Sequence, residues 1–321
     1  MENPLLSRRH FLAASAAATV LGSGMAATAE TFHSTIHKAM IIGPVTENTL
    51  APLKEAGFEG VETRQITTED KASMSRAIAE KMGMRVHSVM RGWAEFNSED
   101  PAKVEDSMEL TRKSMRAAKA YGADDILLVP CRVSGMPMPE PWEFQIEFDE
   151  KAGHVSRVVA GDNSKYEAYI KAQNRATDTS RIAVEKLIPL AEELKIIIGL
   201  ENVWNNLWVK PELYKNFVTS FNSPWVKSYF DIGNHVKYQA PQDWIKLLGP
   251  NLIIRLHFKD FKLNPDGHGG DWKHIREGSI DWPAVRKALD DINFNGWGSI
   301  EENGLPLAEF ARRFDLIAEG K

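Results

Sequence analysis

Ile254-Arg255-Leu256-His257-Phe258-Lys259 alternates apolar and polar side chains, the period of a β-strand. Ile254, Leu256 and Phe258 share one face, and Arg255, His257 and Lys259 share the other. An apolar face suited to packing under helices and a polar face suited to lining an interior are expected of a barrel strand. Three further segments end in the same manner: Ile196-Ile197-Ile198-Gly199-Leu200-Glu201, Ser228-Tyr229-Phe230-Asp231 and Gly298-Ser299-Ile300-Glu301. Each closes an apolar run on a residue able to bind a metal, and a polar or Gly-containing loop and then a helical pattern follow. In a parallel barrel the carboxyl ends of all strands face one rim, so Glu201, Asp231, His257 and Glu301 would converge. Three carboxylates brought together with one imidazole repel one another unless a divalent cation holds them. Each residue alone has a plainer reading, such as a turn cap or a core histidine. Four at successive strand ends do not.

Outward from this stretch, short apolar runs alternate with helical patterns. The strand candidates are Ala39–Ile42, Gly60–Thr63, Arg85–Met90, Asp125–Pro130, Ile196–Glu201, Lys227–Asp231, Leu252–Lys259 and Trp297–Glu301. Between them lie helical stretches such as Glu69–Met82, Pro101–Tyr121, Lys165–Leu194 and Trp282–Leu289. Gly57, Gly83 and Gly122 stand where helix C-caps belong. Eight strands in alternation with helices predict a (β/α)8 barrel. The rival architecture, a doubly wound open sheet, calls for a Gly-rich phosphate loop after its first strand, and Gly43-Pro44-Val45 is not one. Trp142–Phe148 and His154–Val159 alternate around a turn at Asp149–Gly153, which predicts a β-hairpin inserted after the fourth strand, on the active-site rim. Folding over the mouth as a lid and simple decoration are both open to it.

The 321 residues, 43% of them hydrophobic, suffice for one large barrel. A net charge of −5 does not suit a nucleic-acid binder, and no internal stretch is long and apolar enough to span a membrane. Cys131 is the sole cysteine, which excludes an internal disulfide and a cysteine-based zinc site; it reads as a small buried hydrophobe. At the amino end, Ser7-Arg8-Arg9-His10-Phe11-Leu12 precedes an Ala-rich run and the small-x-small sequence Ala27-Thr28-Ala29. This resembles a twin-arginine export signal, so residues 1–29 are expected to be a cleaved leader and 30–321 one periplasmic barrel domain.

Three oxygen ligands and one nitrogen make a hard, mixed site. It suits Mn2+ first, then Mg2+ or Co2+, with Zn2+ also compatible. Leu200-Glu201-Asn202, Asp231-Ile232-Gly233-Asn234, His257-Phe258-Lys259-Asp260, Gly278-Ser279-Ile280-Asp281-Trp282 and Ser299-Ile300-Glu301 together resemble the sugar-phosphate isomerase/epimerase group of xylose-isomerase-like TIM barrels. That group includes ketose 3-epimerases and hydroxypyruvate isomerase. The resemblance runs from about Met40 to Ile317. It implies that Glu201 and Glu301 are both metal ligands and the acid/base pair on opposite faces of a sugar, exchanging a proton through an enediolate. The chain departs from the ketose 3-epimerase pattern at three places. Asn234 stands where a substrate-binding His is expected, with His235 one further on, and Leu207 and Leu263 replace a Glu and an Arg.

Other candidates for the pocket wall or substrate contact are His87, Arg91 and Trp93 after the third strand, Trp204 and Trp208 after the fifth, Asn234 and His235 after the sixth, and Lys259, Arg276 and Glu277 around the seventh, while Glu62 on the second is expected to hydrogen-bond inside the mouth. The reading is therefore a metal-dependent keto-sugar isomerase or epimerase. A lyase or hydrolase of 3-keto-glycosides built on the same centre is the runner-up. An endonuclease IV-like enzyme would need more histidines and a basic groove, and a non-catalytic sugar binder has no need of two carboxylates across a metal. A small carbohydrate is the expected partner, without nucleic acid or, after leader cleavage, membrane; a homo-oligomer is compatible with the sequence.

Overall fold

The computed structural model describes residues 32–321; the expected leader, with Arg8, Arg9 and Ala29, lies outside the described residues. Eight parallel strands close into a barrel: β1 (Ile36–Ile42), β2 (Gly60–Thr63), β3 (Arg85–Trp93), β4 (Asp125–Val129), β7 (Ile197–Glu201), β8 (Val226–Asp231), β9 (Ile253–Phe258) and β12 (Gly296–Ile300). Around it run α1 (Glu47–Glu55), α2 (Glu69–Lys81), α3 (Pro101–Tyr121), α4 (Glu167–Leu194), α5 (Pro211–Thr219), α6 (Pro241–Leu248), α7 (Trp282–Asp291) and α8 (Leu307–Ala318). The expected fold is the observed one, and β1 and β3 run furthest past their expected bounds. Pairing of β1 with β12 already begins at Ile36 and Gly296. A register shift between Met90 and Gly92 lets β3 continue to Trp93 alongside Val129.

Local signals set the helix ends. Asp100 accepts a hydrogen bond from Ala102 N at 2.9 Å, Pro101 fills the first turn, and Gly122 closes α3 at φ 75°. Strand faces toward the helices supply the apolar core, with Val61, Ile126, Ile198, Phe230, Leu256 and Ile300 all buried. The barrel interior instead carries polar side chains, several of which pair with one another. Arg255 Nη2 lies 2.7 Å from Asp125 Oδ2 and 2.8 Å from Asp124 Oδ2. Burial pushes the Asp125 carboxyl up to about 7, against the pull of Arg255. His87 Nε2 is 2.9 Å from Ser299 Oγ.

Two antiparallel hairpins decorate the rim. One is β5 (Glu147–Asp149) with β6 (His154–Arg157), inserted after β4 as expected though shorter than its alternating pattern. It does not fold over the mouth. Asn174 of α4 bonds both the N–H and the C=O of Val155, His154 Nε2 is 2.8 Å from Asp178, and Asn216 of α5 donates to Glu150 O. Those polar groups draw the hairpin onto the outer flank of α4 and α5. The segment ahead of it meets another loop: exposed Trp142 stacks on exposed His268, ring centroids 4.0 Å apart. The other hairpin, β10 (Asp260–Leu263) with β11 (Gly270–Lys273), follows β9 and was not foreseen. Asp260 gathers the returning chain, accepting from Phe261 N at 2.9 Å, Arg276 N at 3.0 Å and the Trp282 indole at 3.0 Å.

Candidate metal centre

Glu201 and Asp231 end β7 and β8, His257 is the penultimate residue of β9, and Glu301 follows β12 by one residue. One ligand atom from each lies within 4.8 Å of all the others. His257 Nδ1 has no hydrogen-bond partner and faces Glu201 Oε1 at 3.6 Å, Asp231 Oδ2 at 3.7 Å and Glu301 Oε2 at 3.3 Å. An orphaned ring nitrogen aimed at three carboxylate oxygens fits a hard divalent cation, and among the described residues this set could hold one.

The groups behind these four side chains orient them. Glu62, buried on β2, accepts from the Tyr229 hydroxyl at 2.6 Å and lies 2.7 Å from His257 Nε2, so Nδ1 is left to face the centre. Asp231 Oδ1 accepts from Gly233 N and Asn234 N at 2.8 Å each, which leaves Oδ2 inward. Asn234 Nδ2 donates to Glu201 Oε1 at 3.2 Å. Asn202 ties the ends of β7 and β8 together, its amide bonding both Asp231 N and Asp231 O. Lys259 Nζ donates to Glu301 Oε2 at 2.6 Å and lies 2.8 Å from Asp231 Oδ2. Gly233 permits that reach: a Cβ there would sit 2.7 Å from Lys259 Cγ and 2.8 Å from Lys259 O.

Electrostatics follow from burial opposed by pairing. Burial would lower the basicity of His257, but the carboxylates of Glu62 and Glu301 outweigh it and hold the ring well above its ordinary value. Lys259 shows the same balance, raised by Asp231 and Glu301 despite its burial. Burial pushes Glu201 up to about 7, with His257 pulling the other way. Glu301 is equally opposed by burial, yet His257 and Lys259 draw it well below the carboxylate range.

A cavity of about 800 Å3 opens outward from Lys259 and Glu301, between the segment after β12 and the turn 272–277. Trp272 of β11 forms one wall, its ring packed against Trp204 at 4.8 Å between centroids. Of the residues expected to meet substrate, Lys259, Glu277 and Asn234 lie at the cavity or the ligands, and Trp204 supports the Trp272 wall. Trp93 is on the rim, 44% exposed, beneath the Arg132 guanidinium. Others lie elsewhere. His87 is buried below the ligands against Trp297, and burial with Arg255 nearby lowers its basicity. Arg91 turns outward to Thr111 and Ser107 O of α3. His235 packs on Trp244 and Tyr238, where burial brings it down to about 3. Trp208 stacks on Phe217 in the core. Arg276 is exposed and does not line the cavity. Cys131 is buried as expected, beside Ser180 Oγ. Missed were Arg64, Trp272, Lys273 and the hydrogen-bonded pair His274–Glu302, which all line the cavity. No strand pattern marks them, since they come from loops and the small second hairpin.

Comparison with known proteins agrees with this geometry. Residues 50–316 match the family model described as xylose isomerase-like TIM barrel. A D-tagatose 3-epimerase-like protein superposes with a TM-score of 0.65 at 16% identity, over 88% of this chain and 99% of its own. The IOLI protein with a bound zinc atom gives 0.65 at 15%, over 88% and 96%. The apo form of 3-keto-D-glucoside 4-epimerase from E. coli gives 0.63 at 11%, over 88% and 99%. No curated protein matches the sequence. With the family model spanning most of its length and the barrel closed as that family's name requires, the chain belongs to the xylose isomerase-like TIM barrels.

Proposed function

We propose that the protein is a divalent-metal-dependent epimerase or isomerase of keto-sugars. The observation that carries this reading is the convergence of Glu201 and Glu301, from different strands, on His257 Nδ1 at 3.6 and 3.3 Å. A cation held by Glu201, Asp231, His257 and Glu301 would supply Lewis-acid polarisation of a substrate carbonyl and its neighbouring hydroxyl. One glutamate takes the proton from the carbon beside the carbonyl, and the other delivers a proton to the opposite face, inverting the centre. The Lys259 ammonium, held protonated by its carboxylate neighbours, donates to an oxygen as negative charge develops there. The names of the similar structures, a 3-epimerase-like protein and a 3-keto-glucoside epimerase among them, support a sugar substrate.

The test is proton exchange. Incubated in D2O with Mn2+ and a panel of free ketoses and 3-keto-glucosides, the protein should place deuterium on the carbon beside the carbonyl. Glu201→Gln and Glu301→Gln should each lower turnover by roughly 10²-fold or more while retaining part of the metal affinity. Turnover without deuterium, undiminished in both variants, would reject the reaction. Release of an aglycone in place of an epimer would favour elimination at the same centre.

A further inference from the structure

We infer that His274 is a specificity-determining residue of the cavity, its Nε2 hydrogen-bonding a hydroxyl of the sugar beyond the carbons that react. The inference rests on the sugar substrate proposed above and assigns a residue that reads it. His274 lies outside the four-residue centre, yet it lines the same cavity as Glu301 and Lys259. Its ring is held on two sides. Nδ1 is 2.6 Å from Glu302 Oε2, while the other oxygen of that carboxylate accepts from Ile275 N at 2.9 Å. An ionised carboxylate only accepts, so Nδ1 carries the proton of this contact. Phe310 packs edge-on against the ring, centroids 6.1 Å apart.

Nε2 is then the nitrogen left to a ligand. It has no hydrogen-bond partner among the described residues, and the side chain is 33% exposed. Gly304 keeps that edge open, since a Cβ there would sit 3.3 Å from His274 Cε1 and 3.8 Å from Nε2. A sugar hydroxyl both donates and accepts, so it meets Nε2 in the neutral ring and in the imidazolium alike. Trp272, two residues earlier and 43% exposed, adds an aromatic face to the same cavity, against which the C–H side of a sugar packs. In the proposed reaction the carbonyl and its neighbouring hydroxyl belong to the metal and Lys259. The hydroxyl left for His274 therefore lies further along the substrate, and a cavity of about 800 Å3 has room for it.

The experiment is calorimetric titration, in buffer containing Mn2+, of three hexitols that cannot react (sorbitol, mannitol and galactitol) and of their monodeoxy derivatives. For the hexitol that binds most tightly, deleting one particular hydroxyl should weaken binding roughly three- to tenfold, the worth of one hydrogen bond. In His274→Asn, whose amide keeps a donor for Glu302 but puts nothing in the place of Nε2, that penalty should vanish while those of the other hydroxyls remain. His274→Gln, which reaches further, should restore part of it. His274→Phe fills the space of the ring without its nitrogens and repeats the comparison should the Asn variant fold poorly. In 15N-labelled protein, the Nε2 resonance of His274 should move when the hexitol is added. Deletion penalties that are the same with and without the imidazole overturn the inference, as does a failure of all three hexitols to bind. Deuterium exchange on free ketoses separates this from the reaction itself. Exchange together with His274-independent binding would remove the contact and leave the epimerase. Binding that depends on His274 with no exchange on any ketose would do the reverse.

Discussion

Glu62 carries no metal-ligand geometry of its own, yet it sets that of His257. Its carboxylate lies 2.7 Å from Nε2 and accepts the Tyr229 hydroxyl, all three side chains being buried. Removing one partner of such a buried pair costs about 3–5 kcal/mol when the other stays charged. Glu62→Gln keeps the volume and removes the charge, so Mn2+ affinity should fall about 10–100-fold. Calorimetric titration of the ion reads this without reference to activity, and an unchanged affinity would show that Glu62 serves only the fold. His235 makes a different prediction. Buried against Trp244 and brought down to about 3, it stays neutral in the folded protein while the unfolded chain takes up a proton near pH 6.5. The unfolded state therefore binds more protons below that value, and stability is lost as pH falls from about 6.5 toward 3. His235→Gln should make the midpoint of unfolding less dependent on pH within that window. An equally steep dependence would assign it to other groups, such as buried His87. The adjacent pair Asn234 and His235 also marks a limit of sequence reading: both were candidates, and only the path of the turn after β8 sends Asn234 to Glu201 and His235 to the core.

Elements divide the work around the mouth. The β5–β6 hairpin was legible as a hairpin from its alternation, but its docking on α4 depends on Asn174 and Asp178, which periodicity does not identify as partners. Gly153 in its turn has φ 70°, and a Cβ there would come within 2.9 Å of Asn216. Gly153→Val should thus lower the melting temperature while leaving KM for the keto-sugar near its original value. Trp142→Ala, which removes the stack on His268, should raise KM several-fold with little effect on melting. The opposite pattern would restore the hairpin to the mouth. The turn after β8 offers a sharper test. Gly233→Ala forces Lys259 away from Asp231, because a Cβ would meet both its side chain and its carbonyl below 3 Å. Turnover should drop more than stability does; a loss confined to stability would deny Lys259 its part in the reaction.

At the scale of the whole molecule, the barrel stakes its mouth on opposed charges. Three buried or half-buried carboxylates meet Lys259 and His257, so a ligand that binds only the folded state should stabilise it strongly. At a hundred times its Kd, Mn2+ should add about 2.7 kcal/mol, visible as a rise in melting temperature that EDTA reverses. The absence of any rise with Mn2+, Mg2+, Co2+ or Zn2+ would remove the metal from the proposal. Export is a further expectation of the full chain. Arg8→Lys with Arg9→Lys should hold the protein in the cytoplasm, and unaltered periplasmic recovery would reject the twin-arginine leader.

The strand order and the candidate ligand set are both legible from local rules alone. Alternation along Ile254–Lys259, apolar runs closed by Glu201, Asp231 and Glu301, and glycine caps such as Gly122 are written at spacings of a few residues, and parallel strands in a closed barrel must bring their carboxyl ends to one rim. Glu62 below His257, the Trp272 wall, and Arg64 and Lys273 at the cavity edge join residues separated by most of the chain or carried on loops. No period relates such positions. Barrel closure and loop packing alone brought them together, because a side chain's partner across a barrel is chosen by register and path, and not by its neighbours in sequence.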